Sequence, residues 1–398
     1  MSTKLTIITS FFPPERGAAP YRILNTAKEL KSFGFDVDVI TTLANYPLGF
    51  FLKGYRWRFF KKELIEGILC RRYWLFPSNS NNPIVRFFSM LSYSYSLLFA
   101  IPVLLFKKPD FILIQTPPLI AGLTASIIAK LVGSKVILNV SDIWPLTASE
   151  LGVMNRDGLL FKGFSIMENL MYELSDAFIG QSEETIEYLK EKTKKPLFLY
   201  RNLTKPYFKE NASVNLNAKK KIVYAGLLGF AQGVFKICKS IDFKNLEIEF
   251  HIYGNGVEKC LIKDYIKHNP KCNIFLHQTV SKEEIQNKLL FFDATIIPLT
   301  QKIYGAFPSK ITMAIASALP IFFSGDGEGY KIVKEFNLGY ASKAGDLNAL
   351  KKNIIDFSKL DNQGLKKLRL NIIKAVKTNF NYADQQVLLN QFITNLVK

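Results

Sequence analysis

The sequence predicts an α/β protein of two doubly wound domains facing each other across a cleft, and three observations carry that expectation. Short apolar runs bounded by Gly, Pro and polar residues alternate with helical patterns along nearly the whole chain, the rhythm of buried parallel strands and crossover helices. At 398 residues the chain is longer than one hydrophobic core usually serves. The polar, lysine-rich stretch at 211–221 interrupts the rhythm and places a linker near 201–219. The expected division is therefore 1–201, 220–380, and a final helical segment at 381–398.

Residues 4–12 (KLTIITSFF) read as a buried parallel strand that breaks at Pro13-Pro14. A helix follows from about 20 to 33, closed by Gly34, and 36–43 supplies the next strand, completing a βαβ unit. Further strands are expected at 67–76, 111–115, 135–140, 177–181 and 197–200, with helices at 120–132, 159–174 and 182–192. Ser182 is the natural cap of the last of these. Beyond the linker the expected strands are 222–226, 248–253, 274–276, 295–298 and 321–323. Ser281 caps one helix, and 346–359, 363–378 and the amphipathic 382–397 supply others.

The most informative stretch is 293–346. A strand there ends in a polar loop, Pro308-Ser309-Lys310 opens a helix, and a second strand ends at Gly325-Asp326-Gly327-Glu328. Two strand ends beside two helix starts form the ligand edge of an open α/β sheet, where free backbone N–H groups attract anions. Lys310 adds a full positive charge. The plain alternative is a pair of ordinary loops with a solvated lysine.

Net charge is +19, from 52 Lys+Arg against 33 Asp+Glu, which calls for a polyanionic partner. No zinc-finger spacing or RNP-like signature is present, so nucleic acid is not the expected partner. An anionic membrane surface is, because residues 45–76 interleave cations with aromatic rings, among them Arg56, Trp57, Arg58, Lys61 and Lys62. The alternative is a basic loop beside a strand with buried aromatics. Residues 87–106 carry no charge and are long enough to span a bilayer, but they feed straight into the next strand. They read as a core or partly membrane-dipping helix. Four scattered cysteines, with no CxxC pair, and an N-terminus that leads at once into a strand point to a reduced, cytoplasmic setting. None of His251, His268 and His277 falls in a motif, so neither a metal site nor a Ser-His-Asp arrangement is indicated.

Taken in order, the Pro-Pro-Glu-x-x-Gly loop, DIWP at 142–145, YAGLLGFAQG at 224–233, GAFPSK at 305–310 and the GEG at 327–329 resemble GT-B-fold glycosyltransferases of the family-4 type. The branch that builds O-antigen, capsule or colanic-acid-like polysaccharides is the nearest likeness, and it covers almost the whole chain. The resemblance implies two Rossmann-like domains, with the last helix returning to the N-terminal one. It implies a nucleotide-diphosphate sugar on the C-terminal domain and a lipid-linked saccharide acceptor on the N-terminal domain. Retention of anomeric configuration, no metal or other cofactor, and peripheral association with the inner membrane complete the expectation. By residue, Gly17, Gly226, Gly229 and Lys310 would meet the diphosphate. Gly327 and Glu328 would approach the sugar, and Asp142 would act beside the donor sugar or acceptor hydroxyl.

The chain also departs from that pattern. Leu227 and Phe230 stand where the family has Asn and Arg in its Gly-rich loop, and Met313 stands where a glutamate holds the ribose. Three outcomes stay open: an enzyme with a rearranged donor site, one with a different donor, or a non-catalytic partner of an assembly complex. An epimerase on the same fold lacks an evident acid/base pair. Asp142 and Glu328 could instead serve only as helix or turn caps, and Met313 as core.

Overall fold

In the computed structural model, which describes residues 2–80, 82–208 and 219–397, the chain forms two units. One comprises Met1–Asn202, Tyr304–Ala306 and Gln386–Lys398; the other comprises Leu203–Ile303 and Phe307–Gln385. The expected polar linker falls mainly on 209–218, outside the described residues.

The first unit runs β1 (Lys4–Ile8), α1 (Ala18–Ser32), β2 (Asp36–Thr42), β3 (Phe60–Ile65), β4 (Ile68–Tyr73) and α2 (Pro83–Leu97). A 3₁₀ turn at Leu98–Ala100 leads to α3 (Ile101–Lys107), β5 (Phe111–Thr116), α4 (Leu119–Leu131), β6 (Lys135–Val140) and α5 (Leu146–Glu150). Then come α6 (Leu159–Leu174), β7 (Ala177–Gly180), α7 (Glu183–Lys192) and β8 (Leu197–Leu199). The sheet order is β3-β4-β2-β1-β5-β6-β7-β8, parallel throughout except for β3 against β4. Alternate residues serve opposite faces. Ile7, Val39, Leu113 and Ile137 pack with α1, whereas Ile8, Ile112, Ile114 and Leu138 pack with α2, α4 and α6.

One expectation needs correction. The single strand at 67–76 is the second arm of an antiparallel hairpin, turning at Glu66-Gly67 where both residues have positive φ. The cations of its first arm hid it, because a strand with a solvated face carries them without loss. The hairpin also draws several of the expected surface cations inward. Arg72 is fully buried, donating to the Thr42 carbonyl at 2.9 Å and to Glu63 and the Pro13 carbonyl. Arg71 pairs with Asp38.

The second unit runs β9 (Lys220–Leu227), α8 (Val234–Ser240), β10 (Ile248–Asn255), α9 (Lys259–His268), β11 (Ile274–His277), α10 (Lys282–Leu289) and β12 (Ala294–Pro298). It continues with α11 (Ser309–Ala316), β13 (Ile321–Ser324), α12 (Glu328–Glu335), β14 (Gly339–Ser342), α13 (Leu347–Ser358), α14 (Asn362–Thr378) and the start of α15 (Tyr382–Asn395). All six strands are parallel, in the order β11-β10-β9-β12-β13-β14. Strand β14 was not expected, since Gly339-Tyr340-Ala341-Ser342 has no run of branched residues. The rest of α15 belongs to the first unit, where Leu389 and Ile393 are buried against the α1 face and Phe392 stacks on Phe198 at 5.1 Å.

Candidate active site

In the second sheet the chain leaves β9 for one side and β12 for the other, so the crevice between their C-terminal ends is the topological switch point. Ligands of open α/β sheets bind there because neighbouring loops diverge and leave backbone groups unpaired. Gly226 is the last residue but one of β9 and Lys310 the second of α11, and the two meet. A Cβ on Gly226 would lie 2.4 Å from the Lys310 Cε and 2.5 Å from its Nζ, so this position can only be glycine while the lysine keeps its place. The Lys310 ammonium donates to the Tyr224 hydroxyl at 3.2 Å and sits 4.6 Å from that ring's centroid. The hydroxyl in turn donates to the Leu227 carbonyl. Among the described residues no carboxylate pairs with Lys310. Burial alone pushes its pKa down to about 8.

Two helices start around this lysine. Neither Pro308, at the start of α11, nor Gly327, at the start of α12, supplies a side-chain cap. Helix starts of this kind attract anions. Glu328, the first residue of α12, is only 2% exposed and is held inside the protein rather than offered at the rim. Gly229 lies in the loop after β9, which is tied to the loop after β10 by Leu228 N–H to Asn255 O at 2.9 Å and Glu258 N–H to Leu228 O at 3.0 Å. Leu227 and Phe230 project from this loop into solvent, 65% and 71% exposed. Met313 is half-buried, against the cluster of Val223, Ile285 and Leu319.

In the first sheet the switch point lies between β1 and β5. Gly17, at φ 142°, precedes α1 and supplies no side-chain cap. Its loop is rigidly tied. Glu15 is fully buried and accepts from the backbone N–H groups of Asn45 and Tyr46, both at 2.9 Å, and of Phe12 at 3.2 Å. Burial raises its pKa, and those hydrogen bonds oppose the shift. The glutamate of the Pro-Pro-Glu loop is thus a clamp between two strand exits.

Asp142 follows β6 and is placed beside Arg22 of α1. Burial raises the Asp142 pKa and lowers that of Arg22, while the charge of each opposes the other's shift. Among the described residues the Asp142 carboxylate accepts no hydrogen bond. Arg22 is held by Gln181 Oε1 at 2.5 Å and Ser141 Oγ at 3.1 Å, and its buried Nε has no partner. Gln181 also donates to Ser141 Oγ, at 2.5 Å, and Asn139 donates to Gln115 Oε1 at 2.9 Å, so the ends of β5, β6 and β7 share one polar network.

Arg22 and Tyr224 were not foreseen from the sequence. Arg22 had a readable signal, a charge beside the buried Ile23 and Leu24, one turn into a helix that follows a glycine loop. Tyr224 had none, being one apolar strand residue among several. The expected membrane-side residues Arg56, Trp57, Arg58 and Lys62 are exposed, whereas Lys61 pairs with Glu63 at 2.7 Å and lies 4.0 Å from the Tyr55 ring centroid. Among the described residues no group of three or more His, Cys, Asp or Glu side chains could hold a metal.

Comparison with known proteins bears on the fold. Residues 208–379 match the family model described as glycosyl transferases group 1. A curated relative is the probable glycosyltransferase WbjE of Pseudomonas aeruginosa, 22% identical over 270 residues, spanning 64% of this chain and 68% of that protein. Among solved structures, Anabaena HepE in complex with UDP superposes with a TM-score of 0.69 at 13% identity, covering 99% of both chains. WaaG, a glycosyltransferase involved in lipopolysaccharide biosynthesis, gives 0.67 at 11% identity over 98% of this chain and 99% of its own. The fold is GT-B, and the stretch matched by the family model lies almost wholly on its second unit.

Proposed function

We propose that the protein is a retaining, metal-independent glycosyltransferase of the hexosyl or N-acetylhexosaminyl type. Its second unit holds a nucleotide-diphosphate sugar, and its first unit holds a lipid-linked saccharide at the cytoplasmic side of the inner membrane. The product would be an intermediate of a surface polysaccharide such as O-antigen or capsule. The observation that carries this reading is the partly buried Lys310 ammonium, without a carboxylate partner among the described residues and set against Gly226 at the switch point of the second sheet. The likeness to WbjE and to WaaG supports the polysaccharide setting.

In this reading Lys310 and the starts of α11 and α12 take up the charge that develops on the departing diphosphate as the bond to the sugar's anomeric carbon breaks. Gly226 and Gly229 leave room for the phosphates. Asp142, with its charge moderated by Arg22, accepts a hydrogen bond from a sugar hydroxyl. Gly327 and Glu328 shape the floor beneath the sugar. The test is transfer from radiolabelled nucleotide sugars to a membrane fraction. One donor should give a labelled lipid product that Lys310→Ala no longer makes; neither transfer nor donor hydrolysis with any nucleotide sugar would sink the proposal.

A second reading is a non-catalytic GT-B-like partner in an assembly complex. The exposed, apolar Leu227 and Phe230 favour it, because they replace polar groups where a nucleotide would be gripped. Calorimetry separates the two readings, since measurable affinity for a nucleoside diphosphate contradicts a purely structural role.

A further inference from the structure

The helical stretch Ile84–Lys107 is apolar enough and long enough to cross a membrane, yet it is a crossover between β4 and β5 of a single sheet. Tyr93, Leu97, Ala100 and Leu104 are buried in the core beneath it. It therefore lies on the unit rather than passing away from it. Its polarity is inverted. Ser94 and Ser96 face inward, while Ile84, Phe88, Leu91, Tyr95, Phe99 and Phe106 form one outward stripe, with Phe106 94% exposed. The helix of a soluble protein puts its polar residues on that side.

Three hydrogen bonds to other segments hold the helix in this roll, and Ser94 is satisfied within the helix. Tyr93 donates to the Thr9 carbonyl at 2.9 Å and Ser94 to the Met90 carbonyl at 3.1 Å. Ser89 donates to the Phe76 carbonyl at 2.6 Å, and Ser92 accepts from Phe76 N–H at 2.7 Å. Along the α2–α3 segment itself the charges have one sign, although the exposed Asp157 precedes the start of α6. Exposed Arg86 and Lys108 bracket the stripe, and no Asp or Glu occurs between Glu66 and Asp110. On the same side of the sheet, α6 begins with the exposed Leu159 and Leu160 and carries the exposed Lys162.

We propose that this face, α2–α3 with the start of α6, is where the protein docks on an anionic lipid bilayer, the rings entering the acyl boundary and the cations meeting the headgroups. The inference rests on the membrane-acceptor reading above and assigns it a surface other than the 56–62 segment. A peripheral helix of this kind binds through buried apolar area and through attraction to anionic lipid, so both contributions should be separable.

The test is co-sedimentation of the full-length protein with vesicles of phosphatidylglycerol and phosphatidylcholine, against phosphatidylcholine alone. The wild type should bind the anionic vesicles, with affinity falling about tenfold or more in 0.5 M salt. The triple variant Phe88→Ser, Phe99→Ser, Phe106→Ser should lose about tenfold or more, with an unchanged melting temperature because all three rings are exposed. Arg86→Glu with Lys108→Glu should weaken binding to the anionic vesicles only, and it guards against a folding defect in the triple variant. The proposal is overturned if the triple variant binds like the wild type, or if Arg56→Glu, Arg58→Glu, Lys62→Glu alone abolishes binding. It is equally overturned if the wild type is a dimer that the triple variant dissociates and no vesicles are bound. Transfer to a detergent-soluble acceptor should survive in the triple variant, so failure of the docking face and failure of the glycosyltransferase reading give different results.

Discussion

The Lys310 ammonium meets Tyr224 twice, at 3.2 Å from its hydroxyl and 4.6 Å from its ring centroid. Neither contact neutralises it, and burial lowers its pKa to about 8. The cation is poised but costly, a state that an anionic ligand would relieve. Lys310→Met should therefore separate two properties. Nucleoside diphosphate affinity falls about 10- to 100-fold with the loss of a charge-assisted bond, read by calorimetry. Ligand-free stability at pH 7 rises, by up to about 2–3 kcal/mol, read by thermal melting.

The pH dependence follows with a definite sign. An unfolded lysine titrates near 10.5 and the folded one at about 8, so between those values the unfolded chain holds more protons and stability increases with pH. The advantage of Lys310→Met in melting temperature should shrink over that window. Diphosphate binding should weaken as pH rises through about 8. Because binding restores the ammonium, it should take up a proton there, seen as a buffer-dependent enthalpy.

Gly226→Ala should reproduce the loss of affinity while leaving the unit folded. Its Cβ would meet the flexible end of Lys310 and push it aside, and the strain at φ 154° adds about 1 kcal/mol. Gly256→Ala is the contrast, because its Cβ would meet the Leu228 carbonyl backbone at 2.4 Å. A large drop in melting temperature is expected only there.

Asp142→Asn should leave donor affinity intact and lower kcat about 100-fold or more. Arg22→Gln removes the one positive charge that lowers the Asp142 pKa, so the acidic limb of the rate profile should move to higher pH. An unmoved limb would mean that the titrating group is not Asp142.

Arg72→Met should destabilise the protein by about 2–4 kcal/mol in urea denaturation, because it leaves two buried backbone carbonyls without that donor and takes one of three partners from Glu63, Lys61 and Tyr55 remaining. Lys62→Ala, on the same hairpin but exposed, should change stability by less than about 0.5 kcal/mol.

The strands that carry both switch points were legible because buried parallel strands are written as unbroken apolar runs, as in LTII and ATIIP. The β3–β4 hairpin and β14 were not, since one solvated face or a glycine start erases that signal. Lys310 and Gly226 could be placed from the order of strands and turns. That Lys310 has no carboxylate partner among the described residues and is backed by Tyr224 could not, because contacts between elements distant in sequence leave no local pattern. The basic aromatic segment misled in part for the same reason: Arg71 and Arg72 look like surface cations until Asp38 and Glu63 are brought beside them.

The most direct test is calorimetric titration of the wild type and Lys310→Ala with a panel of nucleoside diphosphates at pH 7. At least one should bind the wild type with micromolar affinity and lose about tenfold or more with Lys310→Ala. Equal affinity in both proteins, or no binding of any nucleoside diphosphate, would contradict the placement of the donor site at Lys310.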